Sequence, residues 1–310
     1  MTAHHTTHLP VMRDAVLEAW LTHADGVYVD GTFGRGGHSR SMLQRLAPQG
    51  RLIGIDRDPE AVAEGRKLAG EDGRFSIVAS RFDCLPDVVE QLQQPIDGLL
   101  LDLGVSSPQL DDASRGFSFL RDGPLDMRMS PDQGESVADW LARADEQDIA
   151  NVLYRYGEER KSRRIARKIC EYRQQEPIDR TVQLASLIAD VIGKSEPGKH
   201  PATRSFQALR IHINGELDAL EQVLAQALET LSIGGRLVVI SFHSLEDRMV
   251  KLFIRDHSGM APKGRGGLPI GEVMPIRLKP VGKAVRATPE EIRSNPRARS
   301  AVLRVAERVA

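Results

Sequence analysis

The residues with the clearest chemical implication are Val27-Tyr28-Val29-Asp30-Gly31-Thr32-Phe33-Gly34-Arg35-Gly36-Gly37-His38 and the later Leu52-Ile53-Gly54-Ile55-Asp56. A short apolar strand enters a turn whose glycines let a ligand touch backbone. A second strand then ends in a carboxylate, at the spacing where an α/β nucleotide fold sets an acidic group on a ribose. The glycines discriminate among ligands. A phosphate-gripping GxxxxGK[ST] loop starting at Gly31 needs lysine where Gly37 stands, and a dinucleotide fingerprint starting at Gly34 meets Ser39 where its third glycine belongs. What remains is an Asp-x-x-x-Gly-x-Gly turn. On this turn alone a dinucleotide enzyme and a purely structural glycine turn stay open.

The bulk properties bound the setting. With 310 residues, 41% of them hydrophobic, the chain is long enough for one large α/β core and a second unit. Its formal net charge is −1, so any nucleic-acid surface must be local. Cys84 and Cys170 stand far apart and outside any C-x-x-C pattern, which predicts inert reduced thiols in a cytoplasmic protein. No metal centre is expected. His4, His5 and His8 read as a polar tail, and neither a signal pattern nor an apolar run of membrane-spanning length is present.

Elements able to position the turn follow from the apolar pattern. Residues 39–46 predict a helix after the first strand. Asp58-Pro59-Glu60 predicts a capped helix start running to about residue 68. Strands are predicted at 75–78 and 98–103, with a helix at 85–92 between them, an alternation that implies parallel βαβ units. From about 106 to 210 no strand is evident. Helices are predicted instead at 136–143 behind a serine cap, at 146–156, 158–173 and 181–192. The α/β rhythm returns with a helix at 217–231 ending near Gly234-Gly235, a strand at 237–241, a helix at 245–253, and short strands near 276–278 and 301–305. The organisation expected is therefore a core in two parts, 1–106 and 213–310, interrupted by a helical domain at 107–212.

Further blocks carry a family resemblance. They are Leu101-Asp102-Leu103-Gly104-Val105-Ser106-Ser107-Pro108-Gln109, Arg115-Gly116-Phe117-Ser118-Phe119, Leu125-Asp126-Met127-Arg128-Met129, His200-Pro201-Ala202-Thr203-Arg204-Ser205-Phe206, Ser241-Phe242-His243-Ser244-Leu245-Glu246-Asp247-Arg248 and Asn295-Pro296-Arg297-Ala298-Arg299-Ser300. With the glycine turn, which resembles the first motif of class I methyltransferases, they are similar in kind and order to the RsmH (MraW) family. The resemblance runs from His8 to the last strand. It implies an α/β, Rossmann-like class I S-adenosylmethionine methyltransferase with an inserted all-helical domain. The implied activity is methylation of N4 of a cytidine in the decoding region of small-subunit (16S) ribosomal RNA. The implied partner is that RNA or the ribosomal subunit, with neither DNA nor membrane.

The resemblance also implies S-adenosylmethionine contacts at Gly36, Gly37, His38, Asp56, Phe82, Asp102 and Gln109. Each has its own physical reading. Gly36 and Gly37 lack a Cβ that would hold a ligand off, Asp56 can accept from two ribose hydroxyls, Phe82 can cover an adenine, and Asp102 ends a strand at the ligand-binding edge. Many amino-methyltransferases carry Asp/Asn/Ser-Pro-Pro-aromatic after the fourth strand. Here Ser106-Ser107-Pro108-Gln109 lacks the second proline and the aromatic, which leaves Ser107 as the candidate catalytic acceptor. Phe117 or Phe119 can supply a stacking surface or anchor the loop, and Asp126 with Arg128 can line the site or form a salt bridge. Residues 158–175 hold seven cations against three glutamates, and Arg160, Lys161, Arg163 and Arg164 are the candidate RNA contacts. The segment from Lys263 to the C-terminal strand is a second basic region. The competing readings are a dinucleotide-dependent oxidoreductase and an RNA-binding assembly factor without turnover.

Overall fold

The computed structural model describes residues 10–193, 200–259 and 275–310. His4, His5, His8 and Lys263 lie outside them. The chain divides into two compact units, one reaching Gly104 and resuming at Asp218, the other spanning Val105–Leu217.

The first unit opens with α1 (Arg13–Trp20), β1 (Val27–Asp30), α2 (Gly37–Leu43), β2 (Arg51–Asp56), α3 (Pro59–Glu71), β3 (Phe75–Ala79), α4 (Leu85–Leu92) and β4 (Ile96–Asp102). Its cap signals act as expected: the Asp58 side chain accepts from Glu60 N–H at 3.0 Å, with Pro59 at the first helical position. The second unit contains α5 (Ser107–Asp111), α6 (Val137–Arg143), α7 (Glu146–Gly157), α8 (Ser162–Tyr172), α9 (Thr181–Ile192) and α10 (Thr203–Asn214). The chain returns to the first unit within α11 (Glu216–Thr230). It continues through β5 (Leu231–Ser241), α12 (Ser244–Asp256), β6 (Leu278–Pro280), β7 (Val285–Arg286), α13 (Pro289–Ser294) and β8 (Val302–Arg308).

The sheet has the order β3-β2-β1-β4-β5-β8-β6, with β7 also pairing β8. β1 to β5 are parallel, and β8 runs antiparallel against β5 and β6. This is a Rossmann-like sheet, in the arrangement that the resemblance implies. Strand residues alternate between two apolar layers. Tyr28, Leu52, Leu100 and Val238 pack with α1 and α2, while Val29, Ile53, Leu99, Leu101 and Val239 pack with α4, α11 and α12. The second unit has its own core around Trp140, Leu153, Ile169, Leu184 and Phe206.

Three expectations need correction. Gly234-Gly235 does not close α11. Pairing of β5 starts at Leu231, opposite Ile96, then jumps to Arg236 opposite Gly98, so the glycines lie in a bulge that left-handed Gly234 (φ 85°) permits. The helix expected over 158–173 starts only at Ser162, because Glu158 turns left-handed (φ 50°) and caps α7. The helical unit ends beyond 212, since α10 continues to Asn214 and Arg210 forms a two-pronged ion pair with Glu216 at 2.8 Å.

Candidate functional site

In the first unit the strand order reverses between β1 and β4, and open α/β sheets bind ligands at the carboxyl ends beside such a reversal. Three aspartates mark that edge: Asp30 ends β1, Asp56 ends β2 and Asp102 ends β4. The glycine turn wraps around them. Asp56 accepts from Gly34 N–H at 2.8 Å through Oδ2 and from Asp58 N–H at 2.9 Å through Oδ1. Burial still holds its carboxyl above the ordinary value. Asp102 N–H donates to Thr32 Oγ1 at 2.6 Å, fastening the end of β4 to the turn.

Asp30 is buried, 1% exposed, and accepts from Ser39 Oγ at 2.7 Å and Thr32 N–H at 3.2 Å. Burial, only partly offset by the Ser39 hydroxyl, pushes its carboxyl up to about 6. Ser39 thus has a positive role where a dinucleotide fingerprint needs glycine. Sequence reasoning missed Asp30 as a site residue, although its place at the end of β1 matches those of Asp56 and Asp102. Beside it, His38 is buried with neither ring nitrogen hydrogen-bonded, and Asp102 Oδ1 also lacks a partner. His38 Nε2 stands 3.6 Å from Asp102 Oδ2, too far for a hydrogen bond. Unsatisfied buried polar atoms are costly, so three of them at one strand edge mark a place for a ligand.

The glycines also have a steric reason within the chain itself. A Cβ on Gly36 would meet the Phe33 ring at 2.6 Å, and Gly36 is left-handed (φ 74°). One on Gly37 would meet Pro10 at 3.1 Å. Both glycines thus leave room for the protein's own side chains, which is compatible with a ligand contact at their backbone. The open backbone belongs to Gly34, also left-handed (φ 56°), where the nearest atom to a Cβ is 3.9 Å away. Phe82 starts a short 3-10 turn after β3 and is half-buried, its Cβ 3.3 Å from a Cβ placed on Gly31.

The other candidate residues belong to the second unit. Ser106 caps α5, and Gln109 Oε1 accepts from Ser106 N–H at 2.9 Å, so the Gln109 carboxamide closes a capping box. Ser107 is the first residue of that helix. Phe117 lies in the helical core and Phe119 packs on His200 and Phe206 at 4.5 and 4.7 Å, so both rings anchor their loop. Arg128 grips Asp126 through two bonds of 2.8 and 2.7 Å.

On α8, Ile165, Ala166 and Ile169 face the core while Arg163, Arg164, Arg167 and Lys168 are exposed. Arg160, in the preceding turn, is also exposed, and it, Arg163 and Arg164 have no acidic partner among the described residues. Lys161 differs: its Nζ donates to Ile192 O at 2.8 Å and closes the end of α9. Arg173 likewise donates to Leu141 O and Ala144 O behind α6. Of the four candidate contacts, Lys161 alone spends a donor of its ammonium on a helix end.

Cys84 and Cys170 are free, and burial raises both thiols, which keeps them protonated and unreactive. Among the described residues no group of three His, Cys, Asp or Glu side chains is arranged to hold a metal, and no helix is long and apolar enough to cross a membrane.

The chain is 72% identical over 98% of its length, and 97% of the relative's, to a protein of Alcanivorax borkumensis named ribosomal RNA small subunit methyltransferase H. It is 58% identical to one of the same name from Chromohalobacter salexigens, over 97% of this chain and 92% of that one. A solved rRNA methylase of Streptococcus thermophilus aligns over 96% and 94% of the two chains at 9% identity and a TM-score of 0.41, too distant to add to the assignment. Residues 5–309 match the MraW methylase family, and the chain is a member of that family of methyltransferases.

Proposed function

We propose that the protein transfers a methyl group from S-adenosylmethionine to the N4 amine of a cytidine in the decoding region of small-subunit ribosomal RNA. The observation that carries this reading is the near full-length identity to ribosomal RNA small subunit methyltransferase H, supported by the partnerless polar atoms at the β1–β4 edge. The partner is the small-subunit RNA, free or within the subunit, and the place of action is the cytoplasm. The helical unit serves substrate recognition.

The donor brings a methyl group already activated on a sulfonium, so the protein's task is positioning rather than nucleophilic or metal chemistry. Asp56 is suited to the ribose hydroxyls, since its carboxylate accepts hydrogen bonds at the ligand-binding edge of the sheet, where it ends β2. Phe82 suits the adenine, and Asp102 and His38 offer unspent hydrogen-bonding capacity to the amino-acid part. Gln109 belongs to this set as well, its oxygen already accepting one bond in the α5 cap.

The amine of cytosine is a poor nucleophile because its lone pair is delocalised into the ring. An acceptor aimed at its protons favours the transition state as positive charge develops, and Ser107 is the proposed acceptor. The target base must leave its stack, so flexible or single-stranded RNA is the accessible form. Mass spectrometry of ribosomal RNA nucleosides from cells with and without the gene tests the proposal. Loss of N4 methylation at one decoding-region cytidine is expected, and an unchanged modification pattern would overturn it.

A further inference from the structure

Away from the carboxyl edge, the first unit holds a cleft of about 290 Å³ between α12, the β6–β7 connection and β8. Its walls are hydrocarbon, from Ile254, Val281 and Val305, and four cations border it. Two of the four are neutralised: Arg255 by Asp256 at 2.5 Å, and Arg304 by Asp247 through bonds of 2.7 and 3.1 Å. The other two, Lys251 and Lys283, are exposed and have no acidic partner among the described residues.

Lys251 lies one turn before Arg255 on α12, whereas Lys283 sits on the β6–β7 connection beside left-handed Gly282 (φ 70°). Two separate elements therefore each bring an exposed lysine without an acidic partner among the described residues to the lining of one apolar hollow. A ligand that matches has an anionic group for the lysines and a flat, weakly polar part for the hydrocarbon wall, and a nucleotide has both. Ammonium groups meet phosphate as point charges and do not need the fork geometry of arginine. The surroundings favour a polyanion over a free mononucleotide, since residues 275–310 carry nine arginines and lysines against three glutamates.

The geometry points to this cleft as a second RNA subsite, apart from the methyl-transfer edge, which holds one nucleotide of the substrate by its phosphate on Lys251 and Lys283. The inference rests on the proposed RNA substrate. It implies that the substrate spans more of the first unit than the methylated base alone requires.

The test is binding of a decoding-region RNA fragment across a potassium chloride series by the wild type and the Lys251→Gln/Lys283→Gln variant. Calorimetry with S-adenosylmethionine and thermal melting serve as controls. Both side chains are exposed, so melting and donor affinity should not move. Two lost phosphate contacts on single-stranded RNA should reduce the log–log salt slope by about 1.4 and weaken binding roughly 25-fold at 0.1 M salt. An unchanged slope overturns the subsite. So does a variant that loses only adenosine monophosphate binding, which would identify a mononucleotide site, or one that loses only an acidic peptide. A wild type that methylates the fragment while the variant keeps its slope removes the subsite and leaves the proposed function standing. A wild type that neither binds nor methylates RNA overturns both.

Discussion

The carboxyl edge of β1, β2 and β4 and the outer face of α8 both hold polar groups without partners, but they do so at opposite costs. At the edge, His38 and Asp102 keep hydrogen-bonding atoms buried and unmet, and Asp30 is a carboxylate 1% exposed. Each unmet atom of His38 and Asp102 costs on the order of 1–3 kcal/mol, whereas Asp30 is hydrogen-bonded to Ser39 and Thr32 and its cost is that of burying a charge. On α8, Arg163, Arg164 and Lys168 are unpaired but wet, and solvated charges cost little. The first pattern therefore carries information by its expense and specifies a ligand with defined donors and acceptors. The second carries it only by segregation, charge on one face and Ile165, Ala166 and Ile169 on the other, which suits a polyanion in general and a solvated surface equally.

The sharpest way to break this contrast is to ask whether burial at the edge is truly expensive. With its carboxyl pushed up to about 6, Asp30 binds a proton more tightly in the folded chain than in the unfolded one. Between about pH 4 and 6 the folded state then holds more protons, so stability falls as pH rises through that window, and the full cost is present above it. A shift of about two units corresponds to about 3 kcal/mol. Asp30→Asn keeps an acceptor for Ser39 and removes the charge. In urea unfolding, wild-type stability minus variant stability should drop by about 3 kcal/mol between pH 4 and 7, and a flat difference would mean that the edge compensates the charge.

The α8 face should respond to salt rather than to pH. Replacing Arg160, Arg163 and Arg164 together by glutamine should lower the RNA salt slope by about 2 and weaken binding on the order of a hundredfold at 0.1 M salt, with donor affinity unchanged. Lys161→Gln sharpens the point. Its ammonium ends α9, so it should lose about 1 kcal/mol of stability and keep the slope. Equal salt effects from both variants would mean that the arginines are only solvated surface.

A smaller effect is expected at Asp56. Asp56→Ala removes acceptors from the proposed ribose contact and should weaken S-adenosylmethionine by about 1.5–3 kcal/mol in calorimetry, leaving RNA affinity alone. Unchanged donor affinity in a folded variant would remove Asp56 from the site. Smallest is Ser107→Ala, for which the single-turnover rate should fall roughly tenfold or somewhat more at saturating ligands. Ser106→Ala controls for the helix, because it removes the α5 cap at about 1 kcal/mol without touching the proposed acceptor. If the two variants lose rate equally, Ser107 acts only through the turn.

Legibility in the sequence followed the range of the interactions. The strand–turn–strand around Asp56 and the caps at Asp58 and Ser136 were readable because each depends on neighbours a few residues away. The reason for Gly37 was not, since Pro10 comes from a distant part of the chain, and the ring beside Gly36 belongs to Phe33 only because the turn folds back. Lys161 and Arg163 look alike in a charge run, yet one meets a carbonyl 31 residues away and the other meets water. Gln109 shows the same limit at short range: a capping box and a ligand contact ask for the same side chain. Asp30 was hidden by its neighbours, being taken as the start of a glycine motif rather than as a third strand-ending carboxylate.

The most direct test of the account is a reconstituted reaction of the purified protein with methyl-labelled S-adenosylmethionine and small-subunit ribosomal RNA, digested to nucleosides and resolved by mass spectrometry. The account predicts label in N4-methylcytidine from the decoding region. Label on a ring carbon, on another base, or on no nucleoside although the donor binds would contradict it.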